Sequence, residues 1–332
     1  MLFDQGPLHA MAGFYYLHAT AGTQFDVRIF TTLNGLTAFT NADVRTDTLA
    51  GFANVTYDVT DQFTIEAGGR YTWDKRQAYI LRQNYLGGGS PVFGGAGAAF
   101  GSPSTNFRGE ATFRKFTPRV SLSWKPTPDH QIYASYSQGF KGGGFDPRGV
   151  GTSAPTANAN GIPSDAEVAS FLTFRPEKVN SWEVGYKARL FDRHVNLSLA
   201  AFRMDYTDVQ IPGSVACTTK VLVAGVITQV PSFCGVVSNA GKARMQGFEA
   251  EGSAHFGPIT LNGSVGYIDA KYLKYVTNIS VGGVPTPTDV AAYRKVQNTP
   301  AWTGAASATY TLVQPVGTFD LTGGVSFKSK TY

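Results

Sequence analysis

The chain has 332 residues, enough for two ordinary domains or one large β structure. Charged residues are only 15%, against about 25% in soluble domains, while glycine (38) and aromatics (13%) are abundant. No run of about 18 apolar residues exists, which excludes a helical membrane span. The +5 net charge rests on singly scattered Lys and Arg, without the clustered basic face that nucleic-acid binding requires.

The opening, Met1-Leu2-Phe3-Asp4-Gln5-Gly6-Pro7, has neither the basic n-region nor the apolar h-region of a secretory signal. The expectation is a block of a longer exported chain. A first strand is predicted near Ala10 to Thr20, then Thr46–Asp58 pairing with Gln62–Lys75. In the second of these, Phe63, Ile65, Ala67, Gly69, Tyr71 and Trp73 alternate with Thr64, Glu66, Gly68, Arg70, Thr72 and Asp74. Period two belongs to a strand with one oily face and one wet face.

Next come Lys115–Lys125 with Gln131–Lys141, where Phe116, Pro118, Val120, Leu122 and Trp124 hold the apolar positions. Val179–Leu190 pairs with Val195–Asp208, Lys242–Phe256 with Ile259–Tyr272, and Ala301–Leu312 with Thr318–Tyr332. Along 195–208 the apolar face passes from Val195, Leu197, Leu199 and Ala201 to Phe202, Met204 and Tyr206, which predicts a β-bulge near Ala200-Ala201.

Short connections lie at Val59–Gln62, Pro126–His130, Phe191–His194, Gly257-Pro258 and Val313–Gly317. Long polar stretches lie at Gln24–Arg45, Leu86–Arg114, Gly142–Pro176, Gln210–Ala240 and Leu273–Thr299. This asymmetry is that of an outer-membrane barrel, with short periplasmic turns and long extracellular loops. Arginine facing lipid at mid-depth costs about 2–4 kcal/mol, so the charged positions must face inward. From Phe63 to Trp73 a tilted strand covers roughly 24 Å of height, close to the spacing of two aromatic girdles. The fold class is all-β: an antiparallel transmembrane β-barrel segment of about eleven strands.

Tyr136-Ser137-Gln138-Gly139-Phe140-Lys141-Gly142-Gly143-Gly144-Phe145 is similar to the "Y-S-x-G-F-K-x-G-G-F" strand end of the TonB-dependent outer-membrane receptors. Pro176-Glu177-Lys178-Val179-Asn180-Ser181-Trp182-Glu183-Val184-Gly185-Tyr186-Lys187 resembles that family's strand entry. Supporting stretches are 69–74, 201–210 and 238–249, and together the segments cover nearly the whole chain. The resemblance implies a 22-strand barrel closed by an N-terminal plug. It implies import of a scarce extracellular ligand, most commonly a ferric siderophore, with energy relayed by TonB. Residues 1–332 read as a partial barrel domain without plug or TonB box, set in the outer membrane of a Gram-negative bacterium, with outer-membrane lipid as a further partner.

Lys141, Phe145, Asp146 and Arg148 directly follow the family-like strand end and are the ligand-binding candidates, suited to an anionic, catecholate-like iron chelate. Solvated loop residues without ligand contact are the alternative reading of each. Cys217 and Cys234, 17 positions apart in one extracellular loop, are expected to form a disulfide, as an exported chain folds under oxidising conditions. Closing such a loop contributes about 3 kcal/mol in the entropic account. Gly142-Gly143-Gly144 and Gly87-Gly88-Gly89 read as flexible loop roots rather than phosphate cradles, because no helix follows them. Glu249 and Glu251 read as lumen salt-bridge partners rather than a catalytic acid pair.

His9, His18, His130, His194 and His255 are dispersed, and no triad or zinc motif can be assembled, so neither catalysis nor a cofactor is expected. A passive porin-like channel is the alternative function, a lipase-like barrel enzyme a weaker one, and a soluble β-sandwich the alternative fold.

Overall fold

A computed structural model describes residues 1–28, 35–159, 161–281 and 284–331; for 214–217, 231–233, 240, 278, 280–281 and 284–285 it describes the backbone alone. The strands in chain order are β1 (Leu2–Gln5), β2 (Leu8–Arg28), β3 (Thr37–Thr60), β4 (Phe63–Leu86), β5 (Ala98–Ala99), β6 (Thr105–Thr127), β7 (His130–Lys141) and β8 (Gly144–Phe145). They continue with β9 (Thr173–Phe174), β10 (Glu177–Leu190), β11 (Val195–Val223), β12 (Val226–Phe256), β13 (Ile259–Val281), β14 (Val284–Asp289), β15 (Trp302–Gln314) and β16 (Gly317–Lys328). One α-helix, α1 (Asp165–Leu172), interrupts them among the described residues.

The main sheet is an antiparallel meander, β1-β2-β3-β4-β6-β7-β10-β11-β12-β13-β15-β16, with β5 beside β4 and β14 beside β13. All eleven predicted strands are in it, and β1 adds a four-residue partner to β2. Among the described residues the sheet does not close, and β1 and β16 are its edges. The tight turns at Asp61-Gln62 and Gly257-Pro258 lie at one end, whereas the long connections and the Ala224-Gly225 turn lie at the other.

Register confirms the two faces. Ile65 pairs with Leu122, Ala67 with Val120 and Tyr71 with Phe116, so oily residues meet oily residues across the ladder. The same outward row holds Ala134 against Val184 and Tyr136 against Trp182. The upper aromatic girdle comes in two stretches on either side of β11: Tyr136–Trp182 ring centroids are 5.5 Å apart, Phe248–Tyr267 5.8 Å and Tyr267–Trp302 4.8 Å. On the inner face the lower wall is polar, with Asn54 donating to Glu66 (3.1 Å) and Tyr133 to Glu183 (2.7 Å). Glu249 and Glu251 do face inward, but among the described residues neither has an ion-pair partner.

Three expectations change. First, the strands are far longer than a membrane needs: β3 and β4 have 24 residues each and β12 has 31, where about 10 suffice. Most of 210–240 is not loop but the β11–β12 ribbon, which turns at Ala224 (φ 47°) and Gly225 (φ 84°). Above the membrane both faces meet water or protein, so alternation fades while backbone pairing continues to satisfy the amides. The predicted Gln24–Arg45 loop likewise shrinks, although 29–34 lie outside the described residues.

Second, no bulge sits at Ala200-Ala201. Register runs unbroken from Val195 to Thr207, and Phe202, Met204 and Tyr206 are lumen-facing. The irregularities fall at Thr207/Val209 and Val209/Ile211, beside Asp208 with φ 55°. On that inner face Phe202 stands opposite Glu183, and the Tyr206 hydroxyl reaches Met204 Sδ at 3.7 Å. Third, Gly87 (φ 85°) and Gly88 (φ 151°) do use glycine's backbone freedom, whereas Gly142 to Gly144 have ordinary φ and are small for another reason. The strand predicted to end at Tyr332 ends at Lys328, and Tyr332 lies outside the described residues.

Candidate functional site

The connection between β7 and β10 folds inward, against the inner face of β3, β4 and β6 above the membrane. Its anchor is Phe145, 5% exposed, in a cluster with Ala42, Ala78, Ile80, Phe107 and Leu172. Phe107 and Phe145 rings lie 5.4 Å apart. Leu172 arrives on α1, which starts with a capping box: the Ser164 hydroxyl accepts from Glu167 N, and the Glu167 carboxylate accepts from Ser164 N at 2.7 Å. These bonds hold the Glu167 carboxyl below the ordinary glutamate range, the Ser164 backbone bond contributing most.

The glycines at the root of this connection are closely approached, Gly143 by backbone and Gly142 by side-chain ends. A Cβ on Gly142 would stand 2.7 Å from Asp74 Oδ2 and 3.1 Å from Arg76 Nη2. One on Gly143 would meet the Phe113 ring and the Phe174 carbonyl oxygen at 2.5 Å. Gln210 Nε2 donates to the carbonyls of Gly142 (2.9 Å) and Arg175 (3.1 Å), tying the root to β11.

The four candidate residues therefore separate into two pairs. Asp146 is 3% exposed, and its carboxylate accepts from Arg148 N and Nε (both 3.0 Å) and Nη2 (3.1 Å). Phe145 and Asp146 are internal to the packed connection. Lys141 is exposed at the end of β7, paired in register with Glu177, and Arg148 keeps 35% of its side chain exposed. Of the four, only these last two leave a charged side chain accessible, Lys141 on the inner face of β7.

Sequence reasoning missed Arg82. It is 2% exposed on the inner face of β4, and its Nη1 donates to the Arg148 carbonyl oxygen. Burial pushes this guanidinium down to about 10, with Asp146 opposing the shift and Arg148 adding to it. It stays charged at neutral pH and fixes the Asp146–Arg148 turn from below. Arg82 lies in a run with no alternation, Leu81 to Leu86, so no sequence pattern marks it.

The β11–β12 ribbon was missed too, although Val221-Leu222-Val223-Ala224-Gly225-Val226-Ile227 is a β-branched run about a glycine turn. It reaches across the mouth: Val221 and Val230 are buried against Leu36 and Ala38. Ser102 N donates to the Leu222 carbonyl at 3.0 Å, and Thr152 and Thr219 hydroxyls are 2.8 Å apart. Cys234 is buried on this ribbon, opposite Val215, and Cys217 is opposite Ser232. The Cys217 side chain lies outside the described residues.

A wall with an oily outer band and polar lower lumen, topped by a packed connection and a ribbon, has a counterpart among known proteins. A family model described as "TonB dependent receptor-like, beta-barrel" matches residues 3–332. The chain belongs to the TonB-dependent receptor family. The rhizobactin receptor of Rhizobium meliloti is 26% identical over 307 residues, covering 90% of this chain and 38% of that protein. The metal-pseudopaline receptor CntO of Pseudomonas aeruginosa is 28% identical over 167 residues, covering 50% of this chain and 18% of the relative.

Among solved structures, the ferric yersiniabactin uptake receptor FyuA of Yersinia pestis superposes with a TM-score of 0.65 at 18% identity, over 100% of this chain and 41% of that one. The siderophore receptor PiuA of Acinetobacter baumannii gives 0.58 at 17%, over 100% and 45%. These likenesses establish the shared fold. The chain spans less than half the length of each of these relatives. TonB-dependent receptor barrels reside in the outer membrane, and the relatives are receptors and transporters rather than enzymes.

Proposed function

We propose that this chain is the central barrel wall of an outer-membrane receptor that takes up a scarce metal chelate, most specifically a ferric siderophore, with energy from TonB. The observation that carries this reading is the second storey of the wall. A passive pore has no use for strands of 24 to 31 residues whose upper inner face is filled by a packed connection and crossed by a ribbon. A receptor that captures ligand above the membrane does. The relatives' names support a siderophore, and the metal-pseudopaline receptor keeps other metal chelates within the class.

In this reading Lys141 and Arg148 attract the anionic chelate, while Phe145 and Asp146 hold the connection that presents them. Arg82 fixes Arg148 through its carbonyl. The full barrel would have 22 strands around an N-terminal plug, and rearrangement of the plug through TonB would release the ligand to the periplasm. Residues 1–332 supply wall and loops to this machine and none of its coupling. Cys217 and Cys234 are proposed to be joined, stapling the ribbon's two strands.

The test is radioiron uptake from a loaded catecholate siderophore in cells carrying the intact receptor, with and without functional TonB. Uptake that vanishes without TonB, and falls in Lys141→Gln with Arg148→Gln, supports the proposal. Uptake indifferent to TonB would make the protein a passive channel. TonB-dependent growth on another substrate with no iron uptake would leave the energised reading standing and discard the siderophore.

A further inference from the structure

Just above the upper aromatic girdle, the outer face of β11 to β13 sets cations against cations. Register places Lys242 directly opposite Lys274, and Arg244 directly opposite Lys271. Phe248 is part of the outward girdle, and alternation from it along β12 puts Arg244 and Lys242 on the same outer face. Like charges directly opposite one another destabilise a ladder, so this arrangement calls for an anion.

The protein supplies only part of the compensation. Asp205 pairs with Arg203 (3.0 Å) and Arg244 (2.6 Å), and Asp269 with Lys271 (3.2 Å). Lys242 and Lys274 are exposed and, among the described residues, have no ion-pair contact. Asp289 feels the charge of Lys274, but its Oδ1 accepts the backbone N–H groups of Tyr275 (2.9 Å) and Ala291 (3.0 Å). Asp208 is taken by Arg175 at 3.0 Å.

A cavity of about 410 Å³ lies at this spot, lined by Thr207, Asp208, Asn239, Gly241, Lys242 and Lys274. Its depth is also informative. Gln246 is level in register with Arg203 and Trp182, and Lys242 is four residues further along β12. Four residues at about 3.3 Å and a tilt near 40° put Lys242 roughly 10 Å above the girdle, at headgroup depth.

We propose that this patch is a binding site for the phosphate of a membrane lipid in the surrounding outer leaflet, with Lys242 and Lys274 flanking the phosphate and the cavity taking the headgroup. The site relieves the like-charge pairing and fixes the height of the wall in the bilayer. It depends on the outward face meeting lipid and not on which cargo the receptor takes.

The intact receptor, purified in an uncharged detergent, is titrated with mixed micelles containing phosphatidic acid or phosphatidylcholine, and bound lipid is counted by native mass spectrometry. The expected result is a preference for phosphatidic acid of about tenfold or more, since each lysine near an anionic lipid surface contributes about 1 kcal/mol. The double variant Lys242→Gln, Lys274→Gln should bind both lipids alike, while Lys242→Arg, Lys274→Arg keeps the preference. Without lipid the glutamine variant should melt no lower than the wild type, which separates loss of binding from loss of folding. Equal binding of the two lipids by wild type, or a preference that survives the glutamine variant, overturns the site. Complete competition by inorganic phosphate at equal phosphate concentration would make it a soluble-anion site and overturn the lipid assignment. Failure to enter micelles of either kind would instead strike the membrane-facing reading itself.

Discussion

The lower and upper halves of this wall are built from the same strands and held by different forces. In the lower half β4 pairs Ile65 with Leu122 outward, while Glu66 faces the lumen and meets Arg119 at 3.6 Å. Its stability depends on hydrocarbon outside and water or polar protein inside. In the upper half the same strand turns Ala78 and Ile80 inward, where they are 6% and 0% exposed beneath Phe145 and Leu172. There the inner face is the dry one, and the outer face carries ion pairs such as Lys75–Glu110 at 2.9 Å. One strand thus reverses which of its faces is oily at the membrane boundary, without a bulge, because what covers each face changes.

This comparison can be broken most sharply at Phe145. Phe145→Ala should loosen docking of 142–176 by about 3–5 kcal/mol, the usual cost of truncating a buried phenylalanine. Hydrogen exchange would show it as raised exchange across that segment with the transmembrane strands unchanged. Uniform loss of protection would mean the two halves are one cooperative unit.

Next in size is an outward charge in the lower half. Val184→Arg, at a position 57% exposed to the surroundings of the chain, should cost about 2–4 kcal/mol in a bilayer. The same change at the adjacent lumen-facing Gly185 is no control, because a Cβ there collides with the Tyr133 ring. Ser121→Arg, on the lumen face of β6 opposite Glu66, is the proper control and should be nearly neutral. Urea unfolding of the intact receptor in vesicles measures both, and equal costs would refute the assignment of faces.

The smallest effect is acid sensitivity of the upper half alone. Glu167 is held below its ordinary value in the folded state, so its contribution is present above the unfolded value near 4.5 and disappears as pH falls through the lower folded value. Protease nicking near α1 should rise below about pH 4.5 in wild type. In Glu167→Gln it should already be raised at neutral pH and change little on acidification. Identical profiles for the two proteins would remove the capping box from the account.

Sequence reasoning recovered the lower half well. Apart from 202–206, where the apolar residues face the lumen, inward and outward residues and the number of spanning strands follow from period-two alternation, because a bilayer imposes a strong contrast between the faces. The candidate site was legible only as a location. The strand end at Lys141 marks where the inward connection begins, but nothing local distinguishes Phe145 and Asp146, which are buried, from Lys141 and Arg148, which are not. The glycine triplet was legible as small residues and misread as flexibility, since the atoms that crowd Gly142 come from Asp74 and Arg76, about 70 residues earlier.

By itself the sequence determined the antiparallel wall, its direction through the membrane and its kinship. A two-residue period and tight turns are local properties, and hydrocarbon enforces them strand by strand. The tertiary structure alone decided that the strands continue high above the bilayer, that the β7–β10 connection folds inward beneath the β11–β12 ribbon, and that Arg82 supports Arg148. Those outcomes depend on contacts between residues far apart in the chain, where the burial of each side chain is set by its partner rather than by its neighbours in sequence.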